Sequence, residues 1–223
     1  WDQSSFDPAY DTMTVEDFRP TIEAVFARKA YDPAVIRAGV RVPLGGIEQR
    51  RVMQLDSSQP AAVLLRERVR AGKGERWRIV RMDANGKRTL LREDARWIHD
   101  VALDARGRVV ALTRFEGDHD ALHRVRGDGS LRKVLRLRPM ERAGLLAALP
   151  DGSLLIDGNP GSGSVVGNFR RVLRLGADDT LQTLHQDPRG EADLDEVMLD
   201  PRTQLPVAAS YRSTVAATYG IGD

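Results

Sequence analysis

Val101-Ala102-Leu103-Asp104 is the stretch on which the fold turns, because the chain repeats its pattern. Met53-Gln54-Leu55-Asp56 precedes it, and Ala147-Ala148-Leu149-Pro150-Asp151 and Val197-Met198-Leu199-Asp200-Pro201 follow. The aspartates at 56, 104, 151 and 200 are 48, 47 and 49 residues apart. An apolar run that stops at Asp or Pro-Asp is a strand ending in a turn. Its return at a period of roughly 40–50 residues marks one supersecondary unit copied along the chain, and four strands per copy is the plan of a propeller blade.

Between these turns lies a second series: Asp83-Ala84-Asn85-Gly86, Gly127-Asp128-Gly129 and Gly176-Ala177-Asp178-Asp179. Asp and Asn bond their own backbone and Gly accepts positive φ, so each cluster reverses the chain and each unit gains a second hairpin. The second unit is the clearest, with strands expected at 97–103, 108–115, 121–126 and 131–137. The third repeats it at 144–149, 153–156, 169–175 and 180–185. The fold expected is all-β: a partial β-propeller of about three and a half four-stranded antiparallel blades. The blades fall at about 49–92, 97–138, 144–186 and 194–223, within a domain spanning 49–223.

Residues 1–48 break the repeat. Thr14-Val15-Glu16-Asp17 resembles a capping box, and Ile22, Val25 and Phe26 follow at helical spacing. Asp32-Pro33 offers an N-cap with Pro at the first helical position. An N-terminal segment with short helices, about 21–30 and 33–38, is expected to protect a sheet edge. A propeller hides its edges by closing. So few blades would not close alone, and a piece of a longer protein is expected. The alternative is a complete small protein whose N-terminal stretch plugs the open ring. An exposed edge would also permit a dimer through strand pairing.

Composition narrows the function classes. Hydrophobic residues make up 41% of the 223, enough for a globular core, and the 30% that are charged are mixed in sign, which argues against disorder. Aromatics are only 5%, too few for the stacking that single-stranded nucleic acid requires, so no nucleic-acid partner is expected. No run of eighteen apolar residues exists, so no membrane-spanning helix is expected. No signal peptide is visible, and the absence of Cys suits a cytoplasmic or a periplasmic setting equally. Of the 34 basic residues only 4 are Lys, a bias expected to reflect a GC-rich coding sequence more than chemistry.

Candidate chemistry is sparse. No serine stands in a G-x-S-x-G elbow, and Gly161-Ser162-Gly163-Ser164 is expected to be a loop between strands, not a phosphate cradle opening a helix. His119 and His123 flank Asp120 across a hairpin loop and the start of a strand. Alternation there makes positions two apart, not four, neighbouring ligands, so a surface loop is the expected role. His99 and Asp100 lie on an inner strand near the central channel, as polar lining. Asp193 and Asp195, with Glu191 and Glu196, form an acidic loop before the fourth blade, without the spacing of a calcium loop. The arginines 132, 136 and 138, and 170, 171 and 174, fall on outer strands and are expected to form solvated faces, with capture of peptide carboxylates on a basic rim the other role open to them. Candidate contacts are therefore His99, Asp100, His119, His123, Asp193 and Asp195, with no catalytic residue, metal ligand or cofactor among them.

One resemblance bears on function. Leu149-Pro150-Asp151-Gly152-Ser153-Leu154-Leu155-Ile156, Arg171-Val172-Leu173-Arg174-Leu175, and Asp193-Leu194-Asp195-Glu196-Val197-Met198-Leu199-Asp200-Pro201 resemble the propeller of the prolyl oligopeptidase family of serine peptidases, dipeptidyl and acylaminoacyl peptidases included. The likeness covers about 49–223. The family's common Ser-Pro-Asp-Gly turn appears here only as Leu149-Pro150-Asp151-Gly152. The resemblance implies a bacterial peptidase whose C-terminal α/β-hydrolase domain, with a Ser, Asp and His triad, follows in the same parent chain. The propeller would gate and select peptide substrates without catalysing. The alternative is a stand-alone propeller scaffold that binds a protein partner. A hydrolase or lyase acting through the acidic loop or the His pair is a third reading.

Overall fold

The computed structural model describes residues 47–55, 59, 62–72, 74–83, 85–161 and 168–222. The helices expected before residue 39 lie outside that set, as does most of the Gly-Ser loop. Within it the chain is all-β, with four antiparallel sheets in sequence. The first holds β1 (Ile47–Leu55), β2 (Val63–Ala71), β3 (Gly74–Met82) and β4 (Arg88–Asp94). The second holds β5 (Ile98–Leu103), β6 (Val109–Phe115), β7 (Asp120–Val125) and β8 (Leu131–Arg136). The third holds β9 (Ala143–Ala148), β10 (Leu154–Gly158), β11 (Arg171–Leu175) and β12 (Leu181–His185). The fourth holds β13 (Asp193–Leu199), β14 (Pro206–Arg212) and β15 (Ala216–Gly220). Each sheet is a simple meander, so strand order in space equals order in the chain.

The recurring aspartate is a turn-former. Asp104 Oδ1 accepts the N–H groups of Arg106 (3.0 Å) and Arg108 (2.9 Å), Asp151 Oδ1 that of Ser153 (3.0 Å), and Asp200 Oδ1 those of Arg202 and Thr203 (both 2.8 Å). A side chain that satisfies the next backbone donors stops the strand and starts the hairpin, which is why the period is written in Asp. Gly107 (φ 70°) and Gly152 (φ 82°) close two of these turns in the left-handed region, where a Cβ would clash.

Sheets pack face to face. Leu64 and Ile79 of the first meet Ile98, Val101, Leu103 and Leu112 of the second. Ala102, Ala111 and Leu122 of the second meet Leu145, Leu154, Ile156 and Leu173 of the third. Val172 of the third meets Leu194, Ala209 and Tyr211 of the fourth. First strands lie innermost: β5 touches β9, and Gln54, Leu103 and Ala147 from the first three sheets and Pro201 from the turn after β13 line a single cavity of about 290 Å³. This is a partial β-propeller of three full blades and one of three strands. The third strand of that last blade, Ala216–Gly220, has little in its Ala, Thr, Tyr and Gly to announce it and was not expected.

The arginines have a structural role that composition did not suggest. Arg66 donates from Nη1 to the carbonyls of Ile98 (3.0 Å) and His99 (3.2 Å), Arg81 to Gly107 (2.8 Å), and Arg92 to Gly129 (2.7 Å), all from blade one to blade two. Arg124 ties blade two to blade three through Gly152 O (2.8 Å), Gly176 O (2.6 Å) and Asp179 Oδ1 (2.9 Å). Arg170 reaches Leu194 O in blade four. A planar fork of five donors can satisfy several carbonyls across a seam, and a lysine ammonium cannot match that geometry.

Candidate functional site

A β-bulge builds the site. On β5, Ile98 pairs with Arg114 and Asp100 with Thr113, so His99 has no partner of its own. Strict alternation would send His99 and Asp100 to opposite faces. The extra residue breaks that alternation, and both side chains line one cavity of about 410 Å³ at the seam of blades two and three, with Thr113, Asp120, Leu137, Arg142, Ala143 and Gly144. His99 and Asp100 thus occupy the inner strand as expected, but in a seam pocket and not merely along a channel.

Each polar group of the cavity has a defined state. His99 Nε2 stands 2.8 Å from Asp120 Oδ1, and its ring stacks on Trp97 at 4.4 Å between centroids. Trp97 stacks in turn on Trp77 (5.7 Å), and the Arg66 guanidinium lies 5.4 Å and 5.8 Å from the two indoles. Burial lowers the His99 pKa, with Arg66 adding to the effect and Asp120 opposing it. The half-buried Asp100 accepts from Val101 N–H on Oδ1 (2.9 Å) and from Leu145 N–H on Oδ2 (2.8 Å), the second bond crossing to blade three. Burial of its carboxyl outweighs these donors and Arg66, and with Asp157 nearby its pKa rises to about 6.

Arg142 completes the lining. It is exposed, and its guanidinium forms no hydrogen bond or ion pair with the described residues. Its backbone, by contrast, is clamped. Arg142 N–H donates to Asn159 Oδ1 (2.8 Å), Asn159 N–H to Arg142 O (3.1 Å), and Asn159 Nδ2 to Met140 O (3.2 Å). Buried Glu141 caps the N–H groups of Arg138 and Gly161, both at 2.8 Å. Met140, 86% exposed, is held at φ 75°, a left-handed conformation that a non-glycine residue keeps only when its surroundings impose it. None of these positioning residues was singled out from sequence, because only the tertiary turn brings 138–142 to 159–161. A Cβ on Gly158 would lie 2.3 Å from Arg142 O. Gly158→Ala is therefore expected to cost about 1–3 kcal/mol and to displace Arg142, measurable by chemical denaturation.

The other candidates go elsewhere. His119 and His123 converge, although they lie four apart, because both face Glu116, at 3.6 Å and 3.0 Å. Lys133 and Arg114 also bind Glu116 and make it an ionic hub under the β6–β7 loop. Burial would raise its pKa, but the hydrogen bonds from Lys133 and Arg114 and the charge of His123 prevail and bring it to about 2. Among the described residues no three His, Asp or Glu side chains could hold a metal ion. Asp193 accepts from Arg170 N–H (2.6 Å), and Asp195 pairs with Arg212 (2.7 Å). The outer-strand arginines are paired too: Arg132 with Asp179, Arg136 with Asp118, Arg138 with Glu141, Arg170 with Asp157 and Arg174 with Asp151, while Arg171 donates to Pro160 O. Their side chains stay partly solvated, as expected, and each is also paired with an acid or a carbonyl.

Because the sheets are meanders, the cavity, Trp97, Phe115, Met140 and Phe169 all lie at one end of the strands, and these four large apolar side chains are exposed there. No described helix is long and apolar enough to cross a membrane. No protein-family model and no curated protein matches the chain. Among solved structures, an X-ray structure of a protein provisionally named a gluconolactonase is similar to it at 14% identity, over 82% of this chain and 71% of that chain, with a TM-score of 0.41.

Proposed function

We propose that this propeller binds short peptides at the seam cavity and selects them for a hydrolase domain of the same parent, in the manner of the peptidase family that its sequence resembles. The observation that carries the reading is Arg142, which sits on a clamped turn, lines a cavity whose volume is in the range that holds small ligands, and has no partner for its guanidinium among the described residues. Exposed Trp97, Phe115, Met140 and Phe169 add apolar contacts on the same end. Isothermal titration of the chain with peptides of three to six residues should give saturable heat that Arg142→Ala removes. If no peptide titrates, the reading fails. Fluorophosphonate labelling of the full gene product tests its second half, since a serine-peptidase parent takes the label at its nucleophile and a scaffold does not.

The same four apolar side chains favour a second reading, a scaffold that docks a protein partner over this end of the strands. In that case Met140→Ser weakens partner capture while short peptides give no heat.

A further inference from the structure

We propose that the seam cavity captures the C-terminal carboxylate of a peptide through Arg142, and that capture takes up a proton, so that it tightens as the pH falls. This rests on the peptide-binding reading above and names which end of the peptide is read.

The charges that line the cavity decide what it receives. Asp100 has both oxygens engaged by backbone donors, Val101 N–H and Leu145 N–H. Asp120 Oδ1 faces His99 Nε2 at 2.8 Å, and neither atom has another protein partner. Arg142 is the cation of the lining without a described partner. A carboxylate finds a ready bidentate fork in Arg142, and the Asp100 and Asp120 carboxylates of the same lining oppose it as like charges. Exposed Met140, two residues away on the same turn, offers an apolar contact for the last side chain of the peptide.

The proton follows from the neighbours. Asp100 is faced by His99 on its own strand, Arg66 on β2, Asp120 on β7, Asp157 on β10 and Arg142 before β9, with Arg170 and Asp193 acting on it through Asp157. A bound carboxylate in the same cavity repels an ionised Asp100 and raises its pKa further, so the complex binds protons more tightly than the free chain does. Asp100 titrates at about 6 in the free chain. Affinity is therefore highest where Asp100 is neutral and declines as the pH rises through and above that value. Protonation of His99 acts in the same direction, because it adds a positive charge beside the anion.

The experiment uses fluorescence anisotropy of Ala-Ala-Leu carrying tetramethylrhodamine on its N-terminus, as the free acid and as the C-terminal amide, at pH 5.0 and 7.5. The free acid should bind roughly tenfold more tightly at the lower pH, one unit of linked pKa shift, and the amide should bind at least about tenfold more weakly than the acid at pH 5.0. Arg142→Ala should erase the preference for the acid and Arg142→Lys should keep part of it. Asp100→Asn, checked for folding by its tryptophan emission, should bind more tightly than the wild type at pH 7.5 and lose most of the pH dependence. Equal binding of acid and amide, or an acid preference that survives Arg142→Ala, overturns the proposal while leaving peptide binding intact. Acid-selective binding that is the same at both pH values overturns the proton uptake. If neither peptide binds at either pH, this proposal falls, and titration with longer peptides decides whether the peptide reading falls with it.

Discussion

Arg124→Met is expected to lower the unfolding free energy by about 3 kcal/mol, the scale for breaking a largely buried, hydrogen-bonded ion pair. The side chain is 16% exposed and spans the seam between blades two and three, where it satisfies Gly152 O, Gly176 O and Asp179 Oδ1. Methionine keeps much of the apolar stem but takes the guanidinium donor from Gly152 O, while Gly176 O keeps the Asp179 N–H at 2.9 Å. Arg132 still neutralises Asp179, which is why the loss falls at the lower end of the range for buried pairs. Arg124→Lys should recover less than half of the loss, since one ammonium cannot follow the fork to three acceptors. Urea denaturation followed by tryptophan emission measures both. A loss under about 1 kcal/mol, the value of an exposed pair, would show that Arg124 is not a strut between blades.

Glu116→Gln is expected to cost roughly 2–3 kcal/mol at neutral pH, about the free energy of its pKa displacement after a discount for solvent screening. Lys133, Arg114, His119 and His123 converge on this carboxylate and would face an amide instead. The folded carboxyl titrates at about 2 and the unfolded one near 4.5. A depressed folded pKa contributes stability that is fully present above the unfolded value and disappears as the pH falls through the folded one. The difference between wild type and Glu116→Gln should therefore be constant above pH 5, shrink between 4.5 and 2, and vanish below. Denaturation curves at pH 7, 4 and 2 test this, and a difference unchanged at pH 2 would mean that the residue acts by packing and not by charge.

These two residues also show where sequence reading stops. The expected hairpins were found because turn chemistry is local: Asp104, Asp151 and Asp200 bond donors two to four positions on, so their period is visible in the chain. Apolar alternation is local too, and it gave strands such as Leu131–Arg136 and Arg171–Leu175 within a residue or two. Arg124 looked like any other arginine, because its partners lie 28, 52 and 55 positions away. His119 and His123 drew notice for their spacing, yet it is Glu116 and Lys133, brought in by the loop and the neighbouring strand, that fix their role.

By itself the sequence determined an all-β chain of repeated four-stranded hairpin pairs, because strand period and turn preference depend on neighbours in the chain. Only the tertiary structure decided the site. One unpaired residue on β5 turned His99 and Asp100 toward the same cavity, and Asn159 and Glu141 held the turn that carries Arg142 in its lining. A one-residue bulge leaves no periodic mark, and a clamp between residues 138–142 and 159–161 exists only once two strands have paired, so neither could be read before the blades were assembled.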